Sequence, residues 1–199
     1  MDKKEIRNRV RQMRQQVDKE DALYASGLLA ELFFEIPDDR LSDLAGRTVG
    51  LYMTFDGEIE VKPLAVRLRE RGANTAYPEV RSGKIVFREA DADNDDMFVK
   101  GSFGIKEPLS DLAEVTPDII IVPGVAYNDE GVRLGMGGGY YDAYYRENPN
   151  ALYVGVCYDF QVISDLPFDE NDMACDILIP IDTEYDEEDD EATDGEGIE

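Results

Sequence analysis

DIIIVPGVAYNDEGVRLGMGGGYYD, residues 118–142, begins with four consecutive β-branched apolar residues, Ile119 to Val122, and halts them at Pro123-Gly124. A run that is apolar at every position, rather than at alternate ones, predicts a strand covered on both faces, as in the interior of a parallel sheet. Outward from it, TVGLYMTF (48–55) and ALYVGVCY (151–158) read as further buried strands, with shorter ones near 74–78 and 84–88. Helical patterns cover about 2–17, 19–35 and 61–71, and another starts within YYDAYYREN (140–148). In the second of these the expected apolar stripe is Leu23, Leu28, Leu29, Leu32 and Phe33, behind an Asp18 cap. Strands alternating with helices predict an α/β three-layer sandwich, a mostly parallel central sheet flanked by helices, as one domain over residues 1–181.

Composition narrows the function. The chain of 199 residues carries a formal net charge of −25, which argues against nucleic acid or an anionic membrane as a partner. Eleven of the acids fall in DTEYDEEDDEATDGEGIE (182–199), a segment without Lys or Arg that is expected to be a disordered, solvating tail; residues 1–181 are left with −14. No apolar run is long enough for a membrane span, and the first residues lack the apolar core of a secretory signal, so a cytoplasmic protein is expected. Cys157 and Cys175 then read as reduced core thiols. A monomer is the default expectation, because no exposed apolar helix stands out. Histidine is absent, which excludes Ser-His-Asp and Cys-His mechanisms and imidazole-bound zinc. Chemistry has to run on carboxylates, cations, backbone amides, tyrosines or the substrate's own nucleophile.

Cations are scarce but clustered. Residues 1–14 hold six basic and two acidic side chains. The helix there places Ile6, Val10, Met13 and Val17 on an apolar stripe and Lys4, Arg7, Arg11 and Arg14 on another face. In open α/β sheets ligands collect at the carboxyl ends of strands. Two segments lie there by order alone: DGEIE (56–60) after one strand, and the region around RLGMGGGYYD (133–142) after another. Gly135, Gly137, Gly138 and Gly139 match neither the dinucleotide fingerprint nor a P-loop. They do precede a helix start and follow Arg133, so they read either as a turn or as an anion site of close-approaching backbone amides. Asp142, in that helix's first turn, reads equally as a dipole partner or as a magnesium ligand. The tyrosines Tyr140, Tyr141, Tyr144 and Tyr145 read as core or as a stacking wall. Glu58 reads as a turn carboxylate or as an acceptor for a ligand N–H, and Asp172 as an ordinary loop acid.

Taken in order, KKEIR (3–7), LYMTFDGEIE (51–60), GIKEP (104–108), PGVAYNDEGVRLGMGGGYYD (123–142) and LPFDENDM (166–173) resemble the 5-formyltetrahydrofolate cyclo-ligase family, also called methenyltetrahydrofolate synthetases. The resemblance implies an ATP- and Mg²⁺-dependent conversion of 5-formyltetrahydrofolate to 5,10-methenyltetrahydrofolate, with release of ADP and phosphate. It implies that Lys3, Lys4 and Arg7 lie at the nucleotide phosphates, with Arg133, Leu134, Gly135, Met136, Gly137, Gly138, Gly139, Tyr140 and Tyr141 forming the main ATP cradle. Met53, Glu58, Met136 and Tyr140 would hold the folate, Asp142 and Asp172 the magnesium ion, and Arg133, Tyr140 and Asp142 would carry catalysis. Met136 departs from the Tyr, His or Arg of many relatives, Gly138 from a Lys found in some, and Asn171 from a common His. The alternatives are a folate- or nucleotide-binding module without turnover, a sugar-phosphate isomerase or CoA-transferase-like relative, and an interaction protein acting through its acidic tail.

Overall fold

The computed structural model describes residues 1–101 and 104–183, so the expected tail lies almost wholly outside the described residues. Two helices come first, α1 (Lys3–Arg14) and α2 (Lys19–Leu32), followed by β1 (Thr48–Gly50), α3 (Lys62–Glu70), and the pair β2 (Asn74–Arg81) and β3 (Lys84–Glu89). Four short strands follow, β4 (Phe98–Lys100), β5 (Lys106–Pro108), β6 (Glu114–Val115) and β7 (Ile119–Pro123). The chain closes with β8 (Ala126–Tyr127), β9 (Arg133–Leu134), α4 (Tyr140–Glu147), β10 (Leu152–Tyr158) and β11 (Ile177–Ile181).

Seven strands form the central sheet in the order β11-β10-β7-β1-β2-β3-β6. Neighbours from β11 to β2 are parallel, and β3 and β6 add an antiparallel edge. The run Ile119 to Val122 is covered on both sides, as its composition requires. Ile119 and Ile121 share a core with Leu29 of α2, Phe33 at its end, and Leu64 and Leu68 of α3. Ile120 and Val122 share another with Tyr144 of α4, Tyr127 and Tyr153. The predicted three-layer sandwich is therefore the observed one. A third cluster docks α1 through Ile6 and Val10 onto Val125, Ala126 and Leu134, across the carboxyl end of β7. That docking puts the basic helix at the edge where ligands bind.

Several local expectations change. The strand predicted over 48–55 stops at Gly50, with one more ladder bond from Leu51 N–H to the Ala76 carbonyl. Tyr52 then turns inward and donates to the Ile59 carbonyl at 2.7 Å, while Asp56 (φ 53°) and Gly57 (φ 74°) reverse the chain in left-handed geometry. The short strands near 74–78 and 84–88 are one long hairpin, whose turn residues Ser82 (φ 51°) and Gly83 (φ 78°) both adopt the positive φ that a tight hairpin needs. Pro78 is tolerated inside β2 because β1 pairs only with Asn74 to Ala76, so Pro78 owes no N–H to that neighbour. Leu23 leaves the predicted stripe of α2 and is 73% exposed; the buried side is Ala25, Ser26, Leu29 and Ala30. Small residues there bring α2 close to the sheet. The cysteines are free and buried, and burial pushes both thiols up to about 12, which makes them inert packing groups. No helix among the described residues is long and apolar enough to cross a membrane.

One ring ties the central strands together. Tyr127 is fully buried and donates to the Val122 carbonyl at 2.7 Å. Its ring lies where a Cβ on Gly124 would come within 2.5 Å and one on Gly155 within 2.8 Å. Gly155→Ala should therefore overpack the middle of β10 and cost about 1–3 kcal/mol. A lowered urea midpoint with an unchanged slope is the expected result; an unchanged midpoint would show that Tyr127 can give way.

Candidate active site

A cavity of about 560 Å³ opens at the carboxyl edge of the sheet, between the 51–61 loop, the β2–β3 hairpin and the glycine stretch. Its walls are mostly apolar, from Met53, Phe55, Val80, Ile85 and Tyr140 among others, with Glu58, Arg133 and Asp142 as inward polar groups. An apolar pocket with a few convergent polar groups is the usual form of a small-molecule site.

Glu58 is placed by the Asp56-Gly57 turn. One oxygen accepts the Phe55 N–H at 3.2 Å, and the other lies 3.8 Å from Nη1 of Arg14. Burial pushes its carboxyl up to about 7, against the opposing charge of Arg14. Arg133, on β9, is also buried. Its Nε donates to the Pro123 carbonyl at 2.7 Å, its Nη1 lies 3.5 Å from an Asp142 oxygen without a hydrogen-bond partner, and its guanidinium stands 5.1 Å from the centre of the Tyr141 ring. A buried donor left open in this way suits an anionic ligand.

The glycines serve close approach. A Cβ on Gly135 would meet the Arg133 guanidinium at 2.7 Å, and one on Gly138 would meet the Tyr140 ring at 2.7 Å. Gly137 (φ 106°) and Gly139 (φ 66°) hold left-handed geometry, and Gly139 starts α4 with no side chain capping its first amides. A helix start without a side-chain cap beside a buried guanidinium forms an anion-ready surface.

The cavity thus brings together Met53, Glu58, Arg133, Gly135, Met136, Gly138, Gly139, Tyr140, Tyr141 and Asp142. Met136 stands at its mouth, 43% exposed. Other expected site residues lie around it. Leu134 packs under α1. Arg7 donates from Nε to the Gly135 carbonyl at 2.8 Å and so braces the glycine loop beside Gly137, while Lys4 is exposed. Lys3 bridges Asp169 at 2.8 Å and Asp172 at 2.5 Å. Asp142 accepts the N–H of Met173 at 3.2 Å, which makes it a neighbour of Asp172 along the chain. Among the described residues, no group of three or more Asp, Glu, Cys or His is gathered for a metal. Arg14, expected on the basic face of the first helix with Lys4, Arg7 and Arg11, is instead 3% exposed and sits under Glu58. The signal for it was its spacing of four from Val10, itself four from Ile6, which puts it on the buried stripe. Lys106 and Glu107, on β5, also line the cavity; they fall within GIKEP (104–108), a segment that carries the family resemblance but to which no site role was attached.

The fold and the site together present a mostly apolar cavity with a buried carboxylate, Glu58, on one wall and a buried guanidinium, Arg133, on another. A model of the 5-formyltetrahydrofolate cyclo-ligase family matches residues 1–180. The 5-formyltetrahydrofolate cyclo-ligase of Escherichia coli K12 is 32% identical over 63% of this chain and 73% of its own, and that of Haemophilus influenzae is 33% identical over 67% and 75%. The solution structure of Aquifex aeolicus 5,10-methenyltetrahydrofolate synthetase superposes with a TM-score of 0.74 at 30% identity, covering 93% of this chain and 91% of that one. The Mycoplasma pneumoniae synthetase shares the fold, with a TM-score of 0.70 at 22% identity over 90% and 98% of the two chains. The chain belongs to the 5-formyltetrahydrofolate cyclo-ligase family, and is thus a ligase of folate one-carbon chemistry.

Replacing Arg133 by Met keeps the stem but strips the cation from Asp142 and the donor from Pro123. Removing one partner of a buried pair should cost about 3–5 kcal/mol of stability. Urea unfolding measures it, and a loss below about 1 kcal/mol would show that Asp142 does not depend on this cation.

Proposed function

We propose that the protein converts 5-formyltetrahydrofolate into 5,10-methenyltetrahydrofolate at the expense of ATP, releasing ADP and phosphate. The observation that carries this reading is one apolar cavity in which the buried carboxylate of Glu58 faces the glycine stretch backed by Arg133. The ligand's flat ring would lie against Met53, Met136 and Tyr140, with its N–H groups donating to Glu58. Arg133, the amides of 135–139 and the start of α4 would hold the transferring phosphoryl group, while Lys3, Lys4 and Arg7 serve the nucleotide phosphates.

The formyl oxygen is a poor leaving group. In the proposed sequence it attacks the γ-phosphorus, the bond to the bridging oxygen breaks, and ADP departs. N10 of the substrate then attacks the activated carbon and loses its proton, and the C–O bond breaks to release phosphate and close the ring. The protein supplies no nucleophile, so the absence of histidine is no obstacle; its work is positioning and charge stabilisation. The charge on the phosphoryl oxygens would be met by Arg133 and backbone amides already held in place.

A metal ion fits this donor set on terms the residues define. Mg²⁺ on a nucleotide is usually held by one or two carboxylates, with phosphate and water oxygens completing the shell. Asp142 accepts the N–H of Met173, the residue after Asp172, whose own carboxylate Lys3 holds at 2.5 Å; with no cluster of three such ligands among the described residues, the two carboxylates would hold the ion only together with a polyphosphate. Bound there, Mg²⁺ would neutralise charge on the phosphate oxygens. The acidic segment from Asp182 onward has no part in the reaction in this reading.

Incubated with Mg·ATP and 5-formyltetrahydrofolate, the purified protein should generate the near-ultraviolet absorbance of the methenyl product, and its absence would sink the assignment. Asp142→Asn should abolish metal-dependent turnover with the fold retained; unchanged turnover would remove Asp142 from the metal site. Glu58→Ala should raise the KM for the folate well above any change in that for ATP, whereas equal effects would contradict its role at the ring.

A further inference from the structure

Beneath Glu58, outside the cavity itself, lies a cation that the proposed reaction does not use. Arg14 ends α1, and its side chain is 1% exposed. Its Nη2 donates to the Gly124 carbonyl, which also accepts Gln161 Nε2 at 3.0 Å. Its Nε and Nη1 are buried with no hydrogen-bond partner. At 3.8 Å, the approach of Nη1 to Glu58 is an ion-pair distance and too long for a hydrogen bond. The turn that delivers Glu58 is fitted to this cation: a Cβ on Gly57 would come within 3.0 Å of Arg14 Cβ, and Arg11, three residues earlier on α1, grips Asp56 at 2.5 Å.

We propose that Arg14 is a positioning residue for Glu58, its guanidinium charge-balancing the buried carboxylate from below while leaving its outer lone pairs open to N–H donors in the cavity. The charged and titratable groups around Glu58 make Arg14 the chief candidate. From β9, Arg133 acts in the same direction but comes behind Arg14 in effect, and Asp56 on the same turn opposes both. Tyr52 and Tyr141 face Glu58 as phenols that its charge and their own burial keep protonated. Without the Arg14 charge, a carboxyl already pushed up by burial would hold its proton through neutral pH, and a protonated carboxyl turns one oxygen into an O–H donor, so it no longer offers an acceptor on each oxygen to a pair of N–H donors. A hydrogen bond would serve this purpose less well, since it would occupy a lone pair the ligand needs. The inference rests on the folate reading only for the identity of those donors; the pairing stands in the ligand-free protein.

Two readouts on the full chain separate these layers. In ligand-free protein, the Glu58 carboxyl ¹³C shift followed against pH should titrate near neutrality, with the Arg14 Nε–H resonance moving at the same midpoint. Arg14→Met should shift the Glu58 midpoint upward by about one unit or more, while Arg14→Lys, which keeps a cation, should hold it near the wild-type value. In turnover, Arg14→Met should raise the folate KM about tenfold at neutral pH, a loss that shrinks as pH rises, with kcat and the KM for ATP little changed. An unmoved midpoint, or a loss of activity equal at every pH, would reduce Arg14 to a tether between α1 and Gly124. The wild-type Arg14 resonance decides the matter even if the Met variant does not fold: no response at the Glu58 midpoint overturns the proposal. Failure of the wild-type protein to turn over the folate would instead sink the functional reading and leave the titration result standing.

Discussion

The carbonyl of Gly124 is where the core meets the site. It stands just past the end of the central strand, accepts from the buried Arg14 and from Gln161, and its residue lies flush against the ring of Tyr127. Each partner comes from a different part of the chain. Arg14 closes the first helix, Gln161 follows β10, and Tyr127 pairs with Arg133 in the small β8–β9 ladder. A side chain at 124 would displace the Tyr127 ring, and a lost carbonyl contact would leave a buried guanidinium with still fewer partners. The position of the basic helix over the sheet edge, and of Arg133 and Glu58 on either side of the cavity, follows from this junction.

Charge is distributed with the same economy. The protein is strongly acidic, yet Arg133 is buried in the cavity wall, Arg14 is buried beneath Glu58, and Arg7 binds the glycine wall. In a low-dielectric setting such groups act over several ångströms, and unpaired donors there are costly unless a ligand meets them. Glu58 shows the cost from the other side. Its folded carboxyl is raised above the unfolded value of 4.5 to about 7, so the folded state binds that proton more tightly. Its contribution to stability is therefore highest below the unfolded value and declines as pH rises through that window. A group that weakens the fold at neutral pH is retained where it can serve a ligand.

The sandwich was legible because Ile119 to Val122 carry their two-faced burial in composition alone. The Asp56-Gly57 turn and the glycine cluster were legible as backbone requirements, since few other residues accept that geometry. Arg14 was misplaced for a physical reason: charge predicts exposure for an arginine, and only the 6-10-14 spacing argued otherwise. The β2–β3 hairpin was read as two short strands because Pro78 breaks the pattern, and its tolerance depends on where β1 ends. Leu23 fell outside the core because Ala25 and Ala30 set how closely α2 approaches, a property of the partner surface. Lys106 and Glu107 reach the cavity through tertiary packing of a two-stranded ladder; GIKEP marked their segment by resemblance, but no periodicity gave them a place in the site.

Glycine in this site is a matter of contact more than of freedom. A flexible turn would need positive φ and empty space, and Gly139 alone among the cluster meets that description. At Gly135 and Gly138 the missing Cβ is occupied by Arg133 and Tyr140, so backbone, cation and ring share a volume that any side chain would break. Gly137 combines both demands, with a positive φ and the Arg7 guanidinium ordinary contact distance away. The two arginines consequently brace the loop from opposite sides, Arg133 beneath Gly135 and Arg7 bonded to its carbonyl. Amides fixed between two cations need little reorganisation when negative charge develops beside them, which is the condition under which backbone donors stabilise a transition state most effectively.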